Sequence, residues 1–117
     1  MKPIDHYSFG SMIIAGQKIN NDLIIFPDGR IASHWWRREG HLLQAEDLRE
    51  LLESRPQFLI VGTGASGLMR PASGLAELLS RAGIEEVVFL PTAEAVRRYN
   101  AALPPTNRLA ACFHLTC

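Results

Sequence analysis

The chain has 117 residues, with 12 Lys and Arg against 12 Asp and Glu, and so no formal net charge at pH 7. That length suits one domain spanning residues 1–117, and 47% apolar with 21% charged residues is ordinary globular usage. Zero net charge excludes a general nucleic-acid binder, which needs an excess of Lys and Arg.

No apolar run approaches the ~20 residues of a membrane span, and Met1–Gly10 holds no signal-type apolar stretch. A cytoplasmic location is therefore expected. The two cysteines, Cys112 and Cys117, make no CxxC pair. In one strand at that spacing they would point to opposite faces, so free thiols in a reducing compartment are expected.

Ser11–Ala15 reads as a strand, turned at Gly16-Gln17 and returned by Lys18–Asn20. Leu23–Phe26 is a second strand, followed by the turn Pro27-Asp28-Gly29 and a return arm over Arg30–Arg37. The first third is thus predicted as an antiparallel meander. Ala45–Glu53 carries Leu48, Leu51 and Leu52 on one stripe and reads as a helix, ended by Arg55-Pro56.

Phe58–Val61 is a short, wholly apolar strand of the kind that needs cover on both faces. Pro71 suits the first turn of a second helix, in which Leu75, Leu78, Leu79 and Ala82 form the apolar face up to Gly83. Val87–Leu90 is another buried-type strand, and Thr92 is the expected N-cap of a third helix with Val96, Tyr99 and Leu103 inward. Leu109–Leu115 closes the chain as a strand. Strand–helix–strand–helix–strand with short links predicts an α/β domain, in which an antiparallel hairpin region precedes a small parallel core.

Gly62-Thr63-Gly64-Ala65-Ser66-Gly67 spells GxGxxG directly after a strand. In a dinucleotide site such glycines let the backbone approach a pyrophosphate at a helix N-terminus. Here Arg70-Pro71 separate the last glycine from the helix, and the next strand ends Phe89-Leu90-Pro91 without the carboxylate that would hold a ribose. A small anion held by the loop (Gly62, Thr63, Gly64, Gly67) with Arg70 and His41 is the better functional reading. A plain strand-to-helix turn is the structural one. No cofactor is expected.

His34-Trp35-Trp36-Arg37-Arg38-Glu39-Gly40-His41 is the densest polar–aromatic stretch. Alternation sends Trp35 and Trp36 to opposite faces. An exposed tryptophan beside Arg37 and Arg38 would make a partner-binding hot spot, against the plainer reading of a half-buried hairpin Trp with solvated arginines. His41 and His114 lack paired ligands at short spacing, so no metal is expected. His114 reads as a hydrogen-bonded core histidine. Cys117 with His114 as a catalytic pair has no supporting acid in view. No GxSxG or HExxH occurs, and the carboxylates are dispersed, which gives hydrolase chemistry no footing.

The residues resemble a known family from end to end. Its motifs are matched by Tyr7-Ser8-Phe9-Gly10, Trp36-Arg37 with Gly40-His41, and Ile60-Val61-Gly62-Thr63-Gly64. They are matched again by Thr92-Ala93-Glu94-Ala95-Val96 with Tyr99-Asn100, and by His114-Leu115-Thr116-Cys117. The family is the Mth-type domain of unknown function, with eukaryotic relatives that include a mitochondrial complex I assembly factor and an adipogenesis-associated protein. The resemblance implies a three-layer β+β/α domain and brings no established catalytic activity. It points to a protein-interaction or assembly-factor-like role.

The expected partner is accordingly another protein, met through Trp35 or Trp36 with Arg37 and Arg38. A small-anion binder or enzyme centred on the glycine loop is the alternative. An exposed sheet edge or tryptophan patch offers a route to a homodimer.

Overall fold

The computed structural model describes residues 1–117. In chain order the strands begin with β1 (Ile4–Ser8), β2 (Ser11–Ile14), β3 (Gln17–Ile19), β4 (Leu23–Ile25), β5 (Ile31–Ala32) and β6 (Leu42–Leu43). A 3-10 turn at Ala45–Leu48 leads into helix α1 (Arg49–Glu53). There follow β7 (Phe58–Thr63), β8 (Arg70–Pro71), α2 (Leu75–Arg81), β9 (Glu86–Leu90), α3 (Thr92–Ala101) and β10 (Leu109–His114).

The two most apolar runs are the centre of the molecule. β7 and β10 lie side by side in parallel, in register from Phe58–Leu109 to Thr63–His114, and every residue of both is buried. With β9 parallel beyond β7, and β4 and β5 antiparallel beyond β10, they form a five-stranded sheet of order β5-β4-β10-β7-β9.

Alternation along the strands divides the apolar side chains between two cores. Ile60, Ala111 and Phe113 pack with Ala95, Val96 and Tyr99 of α3 and with Met12, Ile14 and Ile19 of the small β1-β2-β3 sheet. Leu59, Val61, Ala110 and Cys112 pack on the other face with Leu48, Leu51, Leu75 and Leu79. α2 and α3 therefore cover opposite faces, as right-handed crossovers require when β7→β9 and β9→β10 step in opposite directions. The α/β expectation, with an antiparallel region and a small parallel core in three layers, holds.

Asn100 ties the outer sheet to this frame. Its side-chain Oδ1 accepts from the Ile4 amide at 2.8 Å and its Nδ2 donates to the Ile4 carbonyl at 2.9 Å, copying a strand's backbone pairing. At the far end of β4 from Asp22, Met1 rests against the Pro27–Gly29 turn.

Several expectations need correction. The meander is split: β1–β3 form their own sheet, while β4 and β5 join the main one. β1 escapes the apolar pattern because three of its five residues are exposed. The return arm pairs only over Ile31–Ala32, since the residues that follow are drawn away: the Trp35 amide donates to the Asp22 carbonyl and its indole Nε1 to the Asp47 carbonyl.

The first helix is α-helical only from Arg49, because Leu48 departs from helical geometry at φ −109°, ψ 14°. Pro71 belongs to β8, paired with Leu43 of β6, so the second helix begins at Leu75 with Leu78 and Ala82 outside. Thr92 is the first residue of α3 and not its N-cap, since its hydroxyl is engaged elsewhere. Cys117 lies beyond β10.

Candidate functional site

Three residues distant in sequence meet where β10 ends. Asp22 precedes β4, and because β4 runs antiparallel to β10 this places it level with the end of that strand. Its Oδ1 accepts from the Leu115 amide at 2.8 Å. Its Oδ2 lies 2.8 Å from both Arg37 Nη2 and His114 Nδ1. An ionised carboxylate can only accept, so Nδ1 carries the imidazole proton. The 3.0 Å approach of Arg37 Nη2 to that nitrogen is then a contact between two donors.

Burial opposes ionisation of Asp22. The hydrogen bonds from His114, the Leu115 amide and Arg37, with the charge of Arg37, outweigh it and hold the carboxyl below its ordinary value. Burial, reinforced by the charge of Asp22, pushes the nearby Tyr7 hydroxyl upward. That hydroxyl donates to the Leu115 carbonyl at 2.9 Å.

Arg37 is only 8% exposed. Its guanidinium lies 4.7 Å over the Trp35 ring and its Nε donates to the Gly40 carbonyl at 3.2 Å. Trp35 and Arg37, expected as surface partner-binding residues, thus face inward, because each finds its polar partner inside the fold. Trp36 and Arg38 stay outside. Trp36 is 77% exposed, and Arg38 reaches Glu46 at 3.4 Å. Phe9 and Leu68, 65% and 49% exposed, belong to the same end of the molecule. Gly10, next to Phe9, donates its amide to Leu115, and Ala65, at the start of Leu68's loop, donates to Thr116.

The glycine loop is closed by its own chain. The Gly64 amide donates to Thr92 Oγ1 at 2.9 Å, and that hydroxyl donates to the His114 carbonyl. The amides of Ala65, Gly67 and Met69 are paired with the carbonyls of Thr116, Gly64 and Thr63. A Cβ on Gly62 would come within 2.7 Å of the Phe113 ring, and one on Gly64 within 2.7 Å of the Cys117 carbonyl oxygen. These glycines admit neighbouring parts of the chain, which accounts for them without a bound phosphate.

Gly62, Thr63 and Gly64 are buried, whereas Arg70 and His41 are exposed. The latter two share a hollow of about 530 Å³ with Glu39, Leu42 and Pro71, and the Arg70 amide donates to the His41 carbonyl. The His41 ring stands edge-on to His114 with centroids 5.8 Å apart.

His114 is a buried, hydrogen-bonded histidine as its strand position implies, and it does have an acid, Asp22. No short-range signal marks Asp22: it falls between the predicted strands Lys18–Asn20 and Leu23–Phe26, and only the β4–β10 pairing brings it to His114. His114 Nε2 and Arg37 Nη1 are buried without protein partners. Chemically the cluster is an anchor, one carboxylate against one guanidinium, that fixes Trp35-Trp36-Arg37 and the end of β10 against each other.

Residues 4–114 match the model of a protein family of unknown function, DUF498/DUF598. The chain belongs to that family. Among solved structures it is similar to the conserved hypothetical protein PH1505 from Pyrococcus horikoshii OT3, 31% identical over 100% of both chains with a TM-score of 0.82. A Bartonella henselae protein described as an outer membrane protein is 28% identical over 99% of this chain and 96% of that one, at a TM-score of 0.79. A Mth938-like domain from Bordetella pertussis shares the fold at 17% identity and a TM-score of 0.70, over 97% and 85% of the two chains. The Mth-type resemblance read from the motifs is therefore sound. No helix of this family member is long and apolar enough to cross a membrane.

Proposed function

We propose that this chain is a non-catalytic protein-binding domain with an assembly-factor-like role in the cytoplasm, and that its partner docks at the end carrying Trp36, Phe9 and Leu68. The exposure of Trp36 carries the reading. Large aromatics at the centre of an interface dominate binding energy, and one held out by buried neighbours on both sides loses little freedom when it binds. Trp35 and Arg37 are those neighbours.

A photo-crosslinking residue in place of Trp36 captures the partner in the native cells, and the same residue in place of exposed Lys18 does not. The purified partner then binds Trp36→Ala at least tenfold more weakly than wild type, the loss of a hot-spot side chain. Equal affinity for both proteins would reject this surface.

The small-anion reading keeps one support, the hollow shared by Arg70 and His41. Phosphate titration followed by amide NMR shifts at Arg70 and His41 tests it. Absence of shifts at millimolar phosphate removes it.

A further inference from the structure

The five-stranded sheet ends differently on its two sides. β5 is two residues long, the blunted kind of edge that resists pairing. β9 is five residues, Glu-Val-Val-Phe-Leu, regular in register with β7 throughout and half-buried from Val87 to Leu90. It contains no lysine, proline or bulge, the usual protections of an edge.

The backbone of β9 shows which groups face outward. The Glu86 amide donates to the Gln57 carbonyl, so residues 86, 88 and 90 turn their amides and carbonyls toward β7, and Val87 and Phe89 turn theirs away. Beyond the β7 ladder, no backbone bond of β9 within the chain uses them.

We infer that a second copy of this chain pairs with β9 in antiparallel fashion about a two-fold axis through Val88. Only this symmetric register uses the whole edge. With Val88 opposite its own copy, Val87 of each chain faces Phe89 of the other, and each such pair exchanges two hydrogen bonds. Centring on Phe89 would bring Val87 opposite Pro91, which has no amide to give. Centring on Val87 would require the Glu85 amide, already donated to Gln57 at 2.8 Å.

Side chains agree with that register. Val87 meets Phe89 on the face where both pack with the core under α2, and Val88 meets Val88 on the α3 face, β-branched and aromatic pairs that stabilise adjacent strands. The charge at the end of the strand, Glu86, is paired with Arg98 of its own chain at 3.0 Å. An isologous pair of this kind closes on itself and extends no further.

Sedimentation equilibrium of the wild-type chain tests the inference together with a cross-strand cysteine. Facing Val88 residues form a non-hydrogen-bonded pair with Cα atoms ~4.5 Å apart, within disulfide reach. In a Cys117→Ser background, Val88→Cys gives a covalent dimer on mild oxidation much faster than Lys18→Cys, and wild type shows a concentration-dependent rise from 13.0 kDa toward twice that mass. Val88→Lys, with a circular dichroism spectrum to check its fold, stays monomeric, and Trp36→Ala sediments as wild type. A single monomeric species up to millimolar concentration, or no preference for Val88→Cys over Lys18→Cys, overturns the inference. So does capture by Val88→Cys of a different protein in place of its own copy.

Discussion

Neutralising Asp22 leaves the buried charge of Arg37 without its counter-ion. Breaking a buried ion pair from one side costs roughly 3 kcal/mol or more, so Asp22→Asn is expected to lower unfolding stability by about that much in urea titration. The sign with pH follows from its depressed carboxyl. The contribution is complete above the ordinary value of 3.8 and is lost as pH falls below it through the native value. Wild type therefore loses stability steeply in that acid window, and Asp22→Asn loses the part of the slope due to this group.

Tyr99 presents the reverse case. Its hydroxyl is buried with no partner, and burial pushes it up to about 12. Tyr99→Phe removes an unpaired polar group while keeping the ring edge-on to Phe113. Thermal melting should show equal or higher stability, by about 1 kcal/mol. A fall of more than that would reveal an acceptor for the hydroxyl.

Among the elements, the outer β1-β2-β3 sheet depends on Asn100 for a link that apolar packing does not supply. Asn100→Ala removes both bonds to Ile4 and is expected to cost about 1–3 kcal/mol. Hydrogen exchange should then rise across β1–β3 while β7 and β10 remain protected. Uniformly unchanged exchange would show that the sheet is held by its apolar side chains alone.

Elements governed by near neighbours in sequence were legible. β7, β9 and β10 stand out as short apolar runs, and α3 as a run with Val96 and Tyr99 on one side, because burial on two faces or one leaves a local periodic trace. What depends on distant pairing left none. Pro71 looks like a helix opener until Leu43 pairs with it. The chain after Ala32 looks like a hairpin arm until Asp22 and Asp47 draw Trp35 inward. The candidate site shares this limit: the exposed–buried split of Trp36 and Trp35 follows from alternation, whereas Asp22, its deciding charge, enters only through sheet order.

At the scale of the molecule, the two apolar cores are opposite faces of the same strands. Ile60 belongs to one and Leu59 and Val61 to the other, so neither core persists when β7 leaves. We expect residues 1–117 to unfold as one cooperative unit. Denaturation followed by tryptophan fluorescence, which reports Trp35, and by far-ultraviolet circular dichroism should give one midpoint. Two separate midpoints would divide the chain into independent parts.

Met1 lies by the Pro27–Gly29 turn, and Cys117 lies beside Gly64 at the other end of the sheet. Residues 1 and 117 lie so far apart that groups attached to them have unequal effects. An affinity handle or fluorophore joined at Met1 projects from the end remote from Trp36, Phe9 and Leu68, whereas one joined at Cys117 leaves the fold among them. A handle attached at Met1 therefore leaves the surface proposed for the partner open to interaction screening, whereas one attached at Cys117 sits over it.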